Sequence, residues 1–328
     1  MKAFITGGAG FIGSNLAEHL LSCGREVTVF DNFSTGRQEF VNKNCRLITG
    51  SILDATKLSG AMQGHGIVFH LAAHSTVYGT GLQQFVEQNI SGTANVLAAM
   101  ESAGIKKIIF ASSQAVYGDC GVPVSENSPA NPISHYGSTK LACENIISAS
   151  CRANGWQAWV LRFANAVGRK QTHGVIFDFV KKLKENKNKL QILGDGAQRK
   201  SYLLVDELIS AIDVAINNAH DAVNILNVGA PETIDVRTIA KIVAGEMGLA
   251  PEFVFENKTQ GWPGDQTKIF LDTAKINALG WQSKYSQEET IKIATKQILE
   301  DNKTKEKSRK IFLGQEKTVV FSLDSLRF

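Results

Sequence analysis

Proline is scarce in this sequence, with six residues in 328. With 43% hydrophobic residues, that scarcity argues against a disordered or fibrous chain and for a packed core. Cysteine is sparse and odd in number: Cys23, Cys45, Cys120, Cys143 and Cys151, with scattered spacing and no Cys-x-x-Cys. Neither a disulfide framework nor a zinc site is expected, and a reducing compartment fits. Long apolar runs are missing, since no stretch approaches the roughly 18 residues of a membrane span. Met1–Thr6 is a short apolar run that meets glycines at once, without the basic region and cleavage site of a signal peptide. A cytoplasmic protein with no membrane partner is expected. Excess charge is small as well. The net charge is +4, and Asp301–Phe328 alone holds seven Lys or Arg against four Asp or Glu. The rest is near neutral, so no nucleic-acid partner is expected.

What the chain does contain is an alternation of short β-branched runs with longer amphipathic segments. Strands are expected at Lys2–Thr6, Glu26–Phe30, Arg46–Thr49, Ile67–Leu71, Lys107–Ala111 and Ala158–Phe163. Between them the spacing is helical, as in Ile12–Ser22 and in Leu82, Val86, Ile90, Val96 and Leu97. This rhythm predicts an α/β protein with a doubly wound parallel sheet of the Rossmann kind. After about Ala164 the rhythm changes. Helices are expected at Val175–Leu183, Val205–Ile216, Ile234–Gly245 and Gln287–Leu299, with a short strand at Leu190–Leu193. Val223–Val228 is a candidate to return to the sheet, and Thr318–Leu323 is a candidate strand in the tail. The second region reads as a smaller mixed α/β lobe over the carboxyl ends of the strands, where open α/β sheets bind ligands.

The first strand runs into Thr6-Gly7-Gly8-Ala9-Gly10-Phe11-Ile12-Gly13. Glycine at 7 permits a tight turn, at 10 lets backbone approach a pyrophosphate, and at 13 lets helix and strand pack closely. The phosphates then face free N–H groups at a helix N-terminus. Asp31 ends the second strand, where a carboxylate accepts bonds from ribose hydroxyls and repels a 2′-phosphate, which favours NAD over NADP. On this basis residues 1–165 plus about 205–230 are assigned to an NAD-binding domain. Residues of about 166–204 and 231–300 form the substrate lobe, and 301–328 is a tail of unassigned role.

Tyr136-Gly137-Ser138-Thr139-Lys140 enters a helical segment, so Tyr136 and Lys140 share one face. A phenol with a pKa of about 10 is a poor base at neutral pH. A neighbouring ammonium and a pyridinium would both favour the phenolate and let it accept a hydroxyl proton. Ser113 follows the strand ending at Ala111, where a hydroxyl can bond a developing keto oxygen.

With these elements in order, the chain resembles the extended short-chain dehydrogenase/reductase family, within it the NAD-dependent sugar-nucleotide epimerase/dehydratase group, and especially UDP-glucose 4-epimerases. The likeness runs from Met1 to about Leu299. It includes His70-Leu71-Ala72-Ala73, Asn89 with Gly92-Thr93, Arg162-Phe163-Ala164-Asn165, Gly194-Asp195-Gly196-Ala197-Gln198, Tyr202 with Val205-Asp206, and Gly264-Asp265. The resemblance implies a catalytic triad of Ser113, Tyr136 and Lys140, with Tyr136 as acid and base. It implies NAD contacts at Gly7, Gly10, Phe11, Ile12, Asp31, Asn32, Ser51, Ile52, Leu71, Ala72, Ala73 and Asn89, besides Tyr136 and Lys140. Ser51 replaces the family's usual Asp. Asn165, Lys200, Tyr202 and Asp265, together with Ser113, match positions that hold the nucleotide sugar. Lys200 and Trp262 stand where arginines are usual, which removes two planar forks for phosphate.

Dehydratases of the group carry Asp-Glu after the catalytic hydroxyl, whereas here those positions are Gln114 and Ala115. The resemblance therefore implies C4 epimerisation of a UDP-hexose through a transient 4-keto sugar. Two readings stay open. One is an NAD-dependent C4 dehydrogenase or reductase of a nucleotide sugar, which would consume cofactor. The other is a non-catalytic NAD-sensing protein, a kind that usually lacks the Tyr or the Lys. The family also implies a homodimer formed through Leu82–Ala103 and Lys140–Ala153, and a pocket width set by Ile269.

Overall fold

The computed structural model describes residues 2–75, 81–121, 123–256, 258, 259, 261 and 266–303. The candidate strand Thr318–Leu323 lies outside them. The first half alternates β1 (Ala3–Thr6), α1 (Phe11–Ser22), β2 (Val27–Asp31), β3 (Arg46–Thr49), α2 (Ala55–Met62), β4 (Ile67–His70), α3 (Leu82–Phe85), α4 (Gly92–Ser102) and β5 (Lys107–Ser113). There follow the short β6 (Pro123–Val124), the long α5 (His135–Asn154) and β7 (Gln157–Phe163). The second half holds β8 (Asn165–Val167), α6 (Val175–Glu185), β9 (Lys189–Ile192), β10 (Arg199–Lys200), β11 (Tyr202–Leu204), α7 (Val205–Asn218) and β12 (Val223–Val228). It continues with β13 (Ile234–Asp235), α8 (Val236–Glu246), β14 (Glu252–Phe255), β15 (Phe270–Leu271), α9 (Ala274–Ala278) and a helix over 287–303, here α10.

Seven strands form one parallel sheet in the order β12-β7-β5-β4-β1-β2-β3. The strands read as continuous apolar runs because both faces are covered. Period-two alternation sends Ile5, Val29, Phe69, Ile109 and Leu161 to a face packed on Leu16 and Leu20 of α1 and on Leu208 and Ile212 of α7. It sends Phe4, Phe30, Val68, Ile108, Phe110 and Val160 to the opposite face. There they meet Leu58 and Met62 of α2, Val96 and Met100 of α4, and Ile147 of α5. Each such fully buried side chain contributes roughly 1.5–3 kcal/mol over an exposed one. Strand order reverses between β1 and β4, and the crevice at their carboxyl ends is where ligands bind in such sheets.

A separate core joins Ile176, Phe179, Val180 and Leu183 of α6 to Ile239, Ala240 and Val243 of α8 and to Ile291, Ala294 and Ile298 of α10. The apolar spacing along α6 is the one-face pattern of an amphipathic helix. Small two-stranded pairs, β8 with β11, β9 with β14 and β10 with β13, support this layer. The expected helix at Ile234–Gly245 begins two residues later. Asp235 caps it, its carboxylate accepting from the Thr238 N–H at 2.8 Å, and this frees Ile234–Asp235 to pair with Arg199–Lys200.

Candidate functional site

After β1 the backbone turns through Gly7 at φ 72°. A Cβ there would lie 2.7 Å from the Ala72 nitrogen, and a Cβ on Gly13 would lie 2.2 Å from the Gly7 oxygen. Both positions therefore need glycine, one for conformation and approach, the other for approach alone. Gly10 is the N-cap of α1 and offers no side-chain cap, and the first turn carries no acidic residue. The leading N–H groups of α1 are thus left facing the crevice, as a pyrophosphate requires. Phe11 and Ile12 begin this turn.

Asp31, 8% exposed, accepts from the Ala9 N–H at 2.9 Å and from the Phe33 N–H at 2.8 Å, one on each oxygen. The carboxylate is fixed, and each oxygen keeps a lone pair for a hydroxyl donor. Asn32 accepts from the Ser34 N–H and Ser51 from the Leu53 N–H, each shaping its own turn. Ile52 is buried against Gly92, where a Cβ would stand 2.4 Å from its Cδ1. These residues line the β2 and β3 side of the crevice.

On the β4 side, Leu71 donates its N–H to Thr6 O at 3.1 Å, and the Ala72 N–H reaches Thr6 Oγ1 at 3.3 Å. His70 bridges Thr6 Oγ1 at 2.7 Å and Thr93 Oγ1 at 3.0 Å. Burial, aided by the Lys140 charge, pulls its pKa down to about 3, so it is a neutral strut. Asn89 lies in a π turn, Val86–Ser91, and is 3% exposed. Its amide nitrogen donates to Thr139 Oγ1 at 2.9 Å and to His74 O at 3.1 Å, while its oxygen accepts from the His74 N–H at 2.7 Å. Asn89 thus ties the stretch after Ala73 to α5.

The chemistry collects at the end of β5. This strand runs two residues past Ala111, so Ser113 pairs in register with Phe163. Ser113 Oγ accepts from the Ala115 N–H at 3.1 Å and caps the turn Gln114–Tyr117, and its side chain lies near enough to the Tyr136 phenol to favour the phenolate. Helix α5 starts beside it, capped by Ser134, whose hydroxyl accepts from the Gly137 N–H at 3.1 Å. Lys140 is 2% exposed and donates to Ala111 O at 2.7 Å. Its Nζ stands 4.6 Å from the Phe110 ring centre and 5.8 Å from that of Tyr136.

The expectation of a lowered phenol pKa joins the lysine to a bound pyridinium; among the protein's own groups, burial dominates. Desolvation pushes Tyr136 up to about 12, with the Ser113 hydroxyl working against it. The ammonium is directed at Ala111 O rather than at the phenol. Burial likewise pulls Lys140 down to about 8, opposed by Cys143 and Glu144. The protein's own groups therefore hold a neutral phenol beside a lysine that is still largely charged at neutral pH.

Beneath these groups lies a buried polar network of which the sequence motifs mark one member, Arg162 of the Arg162-Phe163-Ala164-Asn165 stretch. Arg162 donates to both oxygens of Glu144, at 2.7 to 3.2 Å, and to the Tyr117 hydroxyl at 2.8 Å. Ser112 Oγ donates to Glu144, and the Tyr117 O–H to Asn227 at 2.7 Å. The available signal was Glu144, four residues beyond Lys140 on the same helix face.

The substrate-side residues are distributed. Asn165 and Tyr202 are register partners in β8 and β11, and Asn165 Nδ2 donates to Ser201 O at 3.0 Å. Tyr202 is 5% exposed and packs in the α6/α8/α10 core. Lys200 sits in β10, paired with Ile234. Trp262 and Asp265 lie outside the described residues. Ile269 is fully buried with Val116, Tyr117, Val124, Ala164 and Leu271. The segment after 265 is drawn against the turn beyond Ser113. Gln266 Nε2 donates to Gly118 O, the Thr267 N–H donates to Asp119, and β15 pairs with β6. Among the described residues no cluster of His, Cys, Asp and Glu could hold a metal, and no helix is long and apolar enough to cross a membrane.

Comparison with known proteins agrees with this geometry. The model of the NAD dependent epimerase/dehydratase family matches residues 3–229. A crystal structure of a UDP-galactose 4-epimerase is 36% identical with TM-score 0.85, covering 92% of this chain and 99% of that one. A UDP-glucose 4-epimerase of Thermotoga maritima, solved with UDP-glucose, is 29% identical with TM-score 0.85, over 92% and 99%. That of Thermus thermophilus, solved with NAD, is 31% identical with TM-score 0.83, over 91% and 99%.

Proposed function

Because this chain belongs to the NAD-dependent epimerase/dehydratase family, we propose that it interconverts the C4 epimers of a UDP-linked hexose, of the UDP-glucose and UDP-galactose type. The observation that carries this reading is the meeting of Ser113, Tyr136 and Lys140 at the end of β5, with Gln114 and Ala115 next in line. Neither of those two can act as the acid or base that loss of water from the sugar needs, so a dehydratase is disfavoured.

The fit to NAD rests on the uncapped N-terminus of α1, the glycine approaches and the fixed Asp31 carboxylate. Gly7, Gly10, Phe11 and Ile12 would hold the pyrophosphate, and Asp31 and Asn32 the adenosine ribose. Ser51 and Ile52 would sit at the adenine, and Leu71, Ala72, Ala73, Asn89, Tyr136 and Lys140 toward the nicotinamide. When bound, NAD supplies the acceptor and later the donor of the hydride at C4. Tyr136 takes the 4-hydroxyl proton and returns it when the opposite face is reduced. Ser113 donates a hydrogen bond to the sugar's 4-oxygen, and Lys140 supplies positive charge near the phenolate. Residues 1–165 and 205–230 serve the cofactor in this reading. Residues 166–204 and 231–300 serve the nucleotide sugar through Asn165, Lys200, Tyr202 and Asp265. The five cysteines are free, which suits a cytoplasmic enzyme. Helix α5 packs on α3 and α4 along one face of the sheet. A second copy docking on Leu82–Ala103 and Lys140–Ala153 would form the homodimer.

The NAD-loaded protein is expected to interconvert UDP-glucose and UDP-galactose with no net change in the reduced-nicotinamide absorbance, the products being identified by NMR. Stoichiometric reduction of NAD would instead assign a C4 dehydrogenase, and absence of any turnover across UDP-hexoses would leave a non-catalytic NAD-binding protein.

A second result is expected from spectroscopic titration. Taking the difference between wild type and Tyr136→Phe isolates one phenol, whose tyrosinate band in NAD-free protein should rise near pH 12. A bound cation favours the anion, so NAD should move that rise to lower pH. An unmoved or upward shift would remove the electrostatic basis for Tyr136 as the base.

A further inference from the structure

Between β8 and α6 the chain turns at Arg169 and Lys170. Lys170 sits there at φ 62°, in the left-handed region that favours glycine. A side chain held in that region needs surrounding contacts that over-determine it. Those contacts come from both halves of the molecule. From the substrate lobe, α10 supplies two acceptors. Asp301 accepts from the Lys170 N–H at 2.5 Å, and Gln297 Oε1 from the Arg169 N–H at 3.1 Å. From the cofactor domain, Glu18 of α1 takes both cations. Lys170 Nζ donates to one of its oxygens at 2.7 Å and Arg169 Nη1 to the other at 2.9 Å. Lys170 Nζ also donates to Phe40 O at 3.3 Å, and Arg169 reaches Asp206 of α7 through two nitrogens at 3.1 and 3.3 Å. Asn15 Nδ2 donates to Arg169 O at 3.1 Å and to the carbonyl of Phe11, the first residue of α1, at 2.8 Å. Two neighbouring residues thus bind α1, α7 and α10 to one point, just beyond the strand that carries Asn165.

From this juxtaposition we propose that Arg169 and Lys170 are positioning residues, which hold the substrate lobe in a fixed place over the cofactor domain. The proposal rests on the C4-epimerase reading and extends it to the geometry of hydride transfer. In that reading the lobe holds the nucleotide, and the other domain holds the nicotinamide and Tyr136. How the two halves meet then sets where the sugar carbon stands against its reaction partners. A misplacement of about 1 Å costs roughly 10²-fold in rate, even when its source lies far from the chemistry. A glycine would adopt this backbone without strain, so what lysine adds is the ammonium that reaches Glu18.

The test uses NAD-loaded variants. Glu18→Ala cuts the tie to α1, and Asp301→Ala cuts the tie to α10. Lys170→Gly keeps the backbone and removes the ammonium. For each, kcat at saturating UDP-glucose is measured beside NAD content, melting temperature and calorimetric binding of UDP. Each single variant is expected to lose roughly 10- to 100-fold in kcat, while UDP affinity and NAD content stay within about twofold of wild type. The double variant Glu18→Ala, Asp301→Ala should lose no more than the weaker of its parents, because either cut frees the lobe. Lys170→Arg, which keeps the cation, should lose far less than Lys170→Gly. Unchanged kcat in folded, NAD-loaded single variants overturns the proposal. So do losses that fall on UDP affinity or NAD content in place of kcat, and single losses that multiply in the double variant. A wild type that interconverts no UDP-hexose overturns the epimerase reading itself, and this inference with it.

Discussion

Tyr136→Phe is expected to lower kcat by roughly 10²- to 10⁴-fold, the usual contribution of a positioned general acid or base. The change deletes one oxygen and leaves the ring, which packs at the start of α5 with Lys140 Nζ 5.8 Å from its centre. Folding and NAD content should therefore be kept. Water can replace the proton acceptor only poorly, because burial already holds this phenol neutral up to about 12 and any substitute base would meet the same desolvation. Single-turnover measurement of the reduced-nicotinamide signal with UDP-glucose is the direct check. Loss confined to KM would show that Tyr136 only binds, and turnover within a few-fold of wild type would remove it from the chemistry.

Arg162→Met should carry the largest cost in stability. Arg162 is 5% exposed and Glu144 2%, and their bond is a fork of nitrogens on both carboxylate oxygens. Removing the cation strands a buried carboxylate with the Ser112 hydroxyl as its remaining side-chain partner. Breaking such a pair from one side typically costs about 3–5 kcal/mol, although replacing both members with apolar residues is often near neutral. The single variant should melt on the order of 10 °C below wild type by calorimetry. The double variant Arg162→Met, Glu144→Leu should regain much of that. Full stability of the single variant would mean the network is not a strut. Ser112 adjoins Ser113, and Glu144 lies one turn beyond Lys140. The network therefore also ties the end of β5 to α5, and the stable double variant should still lose activity through misplaced Ser113 and Lys140.

Much of the fold was legible in local pattern. Ile108–Ala111 and its fellow strands announced burial on both faces because a parallel sheet leaves no wet side to alternate toward. The glycines at 7, 10 and 13 announced a tight turn with close backbone approaches, since those approaches are short-range and leave a mark in sequence. Asp31 at the end of β2, and Tyr136 four residues before Lys140, were readable for the same reason. Boundaries were less so. The shift from Ile234 to Val236 at the start of α8 depended on Arg199–Lys200, a partner thirty-odd residues away, choosing to pair there. Helical spacing showed that Tyr136 and Lys140 share a face, but not that Lys140 would spend a hydrogen bond on Ala111 O from another element. The Arg162–Glu144–Tyr117–Asn227 network escaped because its members come from β7, α5, the turn after β5 and β12, with no common spacing.

By itself the sequence determined the element types, the glycine turn after β1 and which side chains were candidates for the chemistry. Each of these is decided within a few residues, by steric freedom at glycine, by apolar period or by the chemistry of one functional group. Only the tertiary structure decided which groups are dry and which donors are already taken. Desolvation and hydrogen-bond satisfaction depend on everything packed around an atom, and that is why the raised phenol and the buried ion pair appear only once the chain is folded.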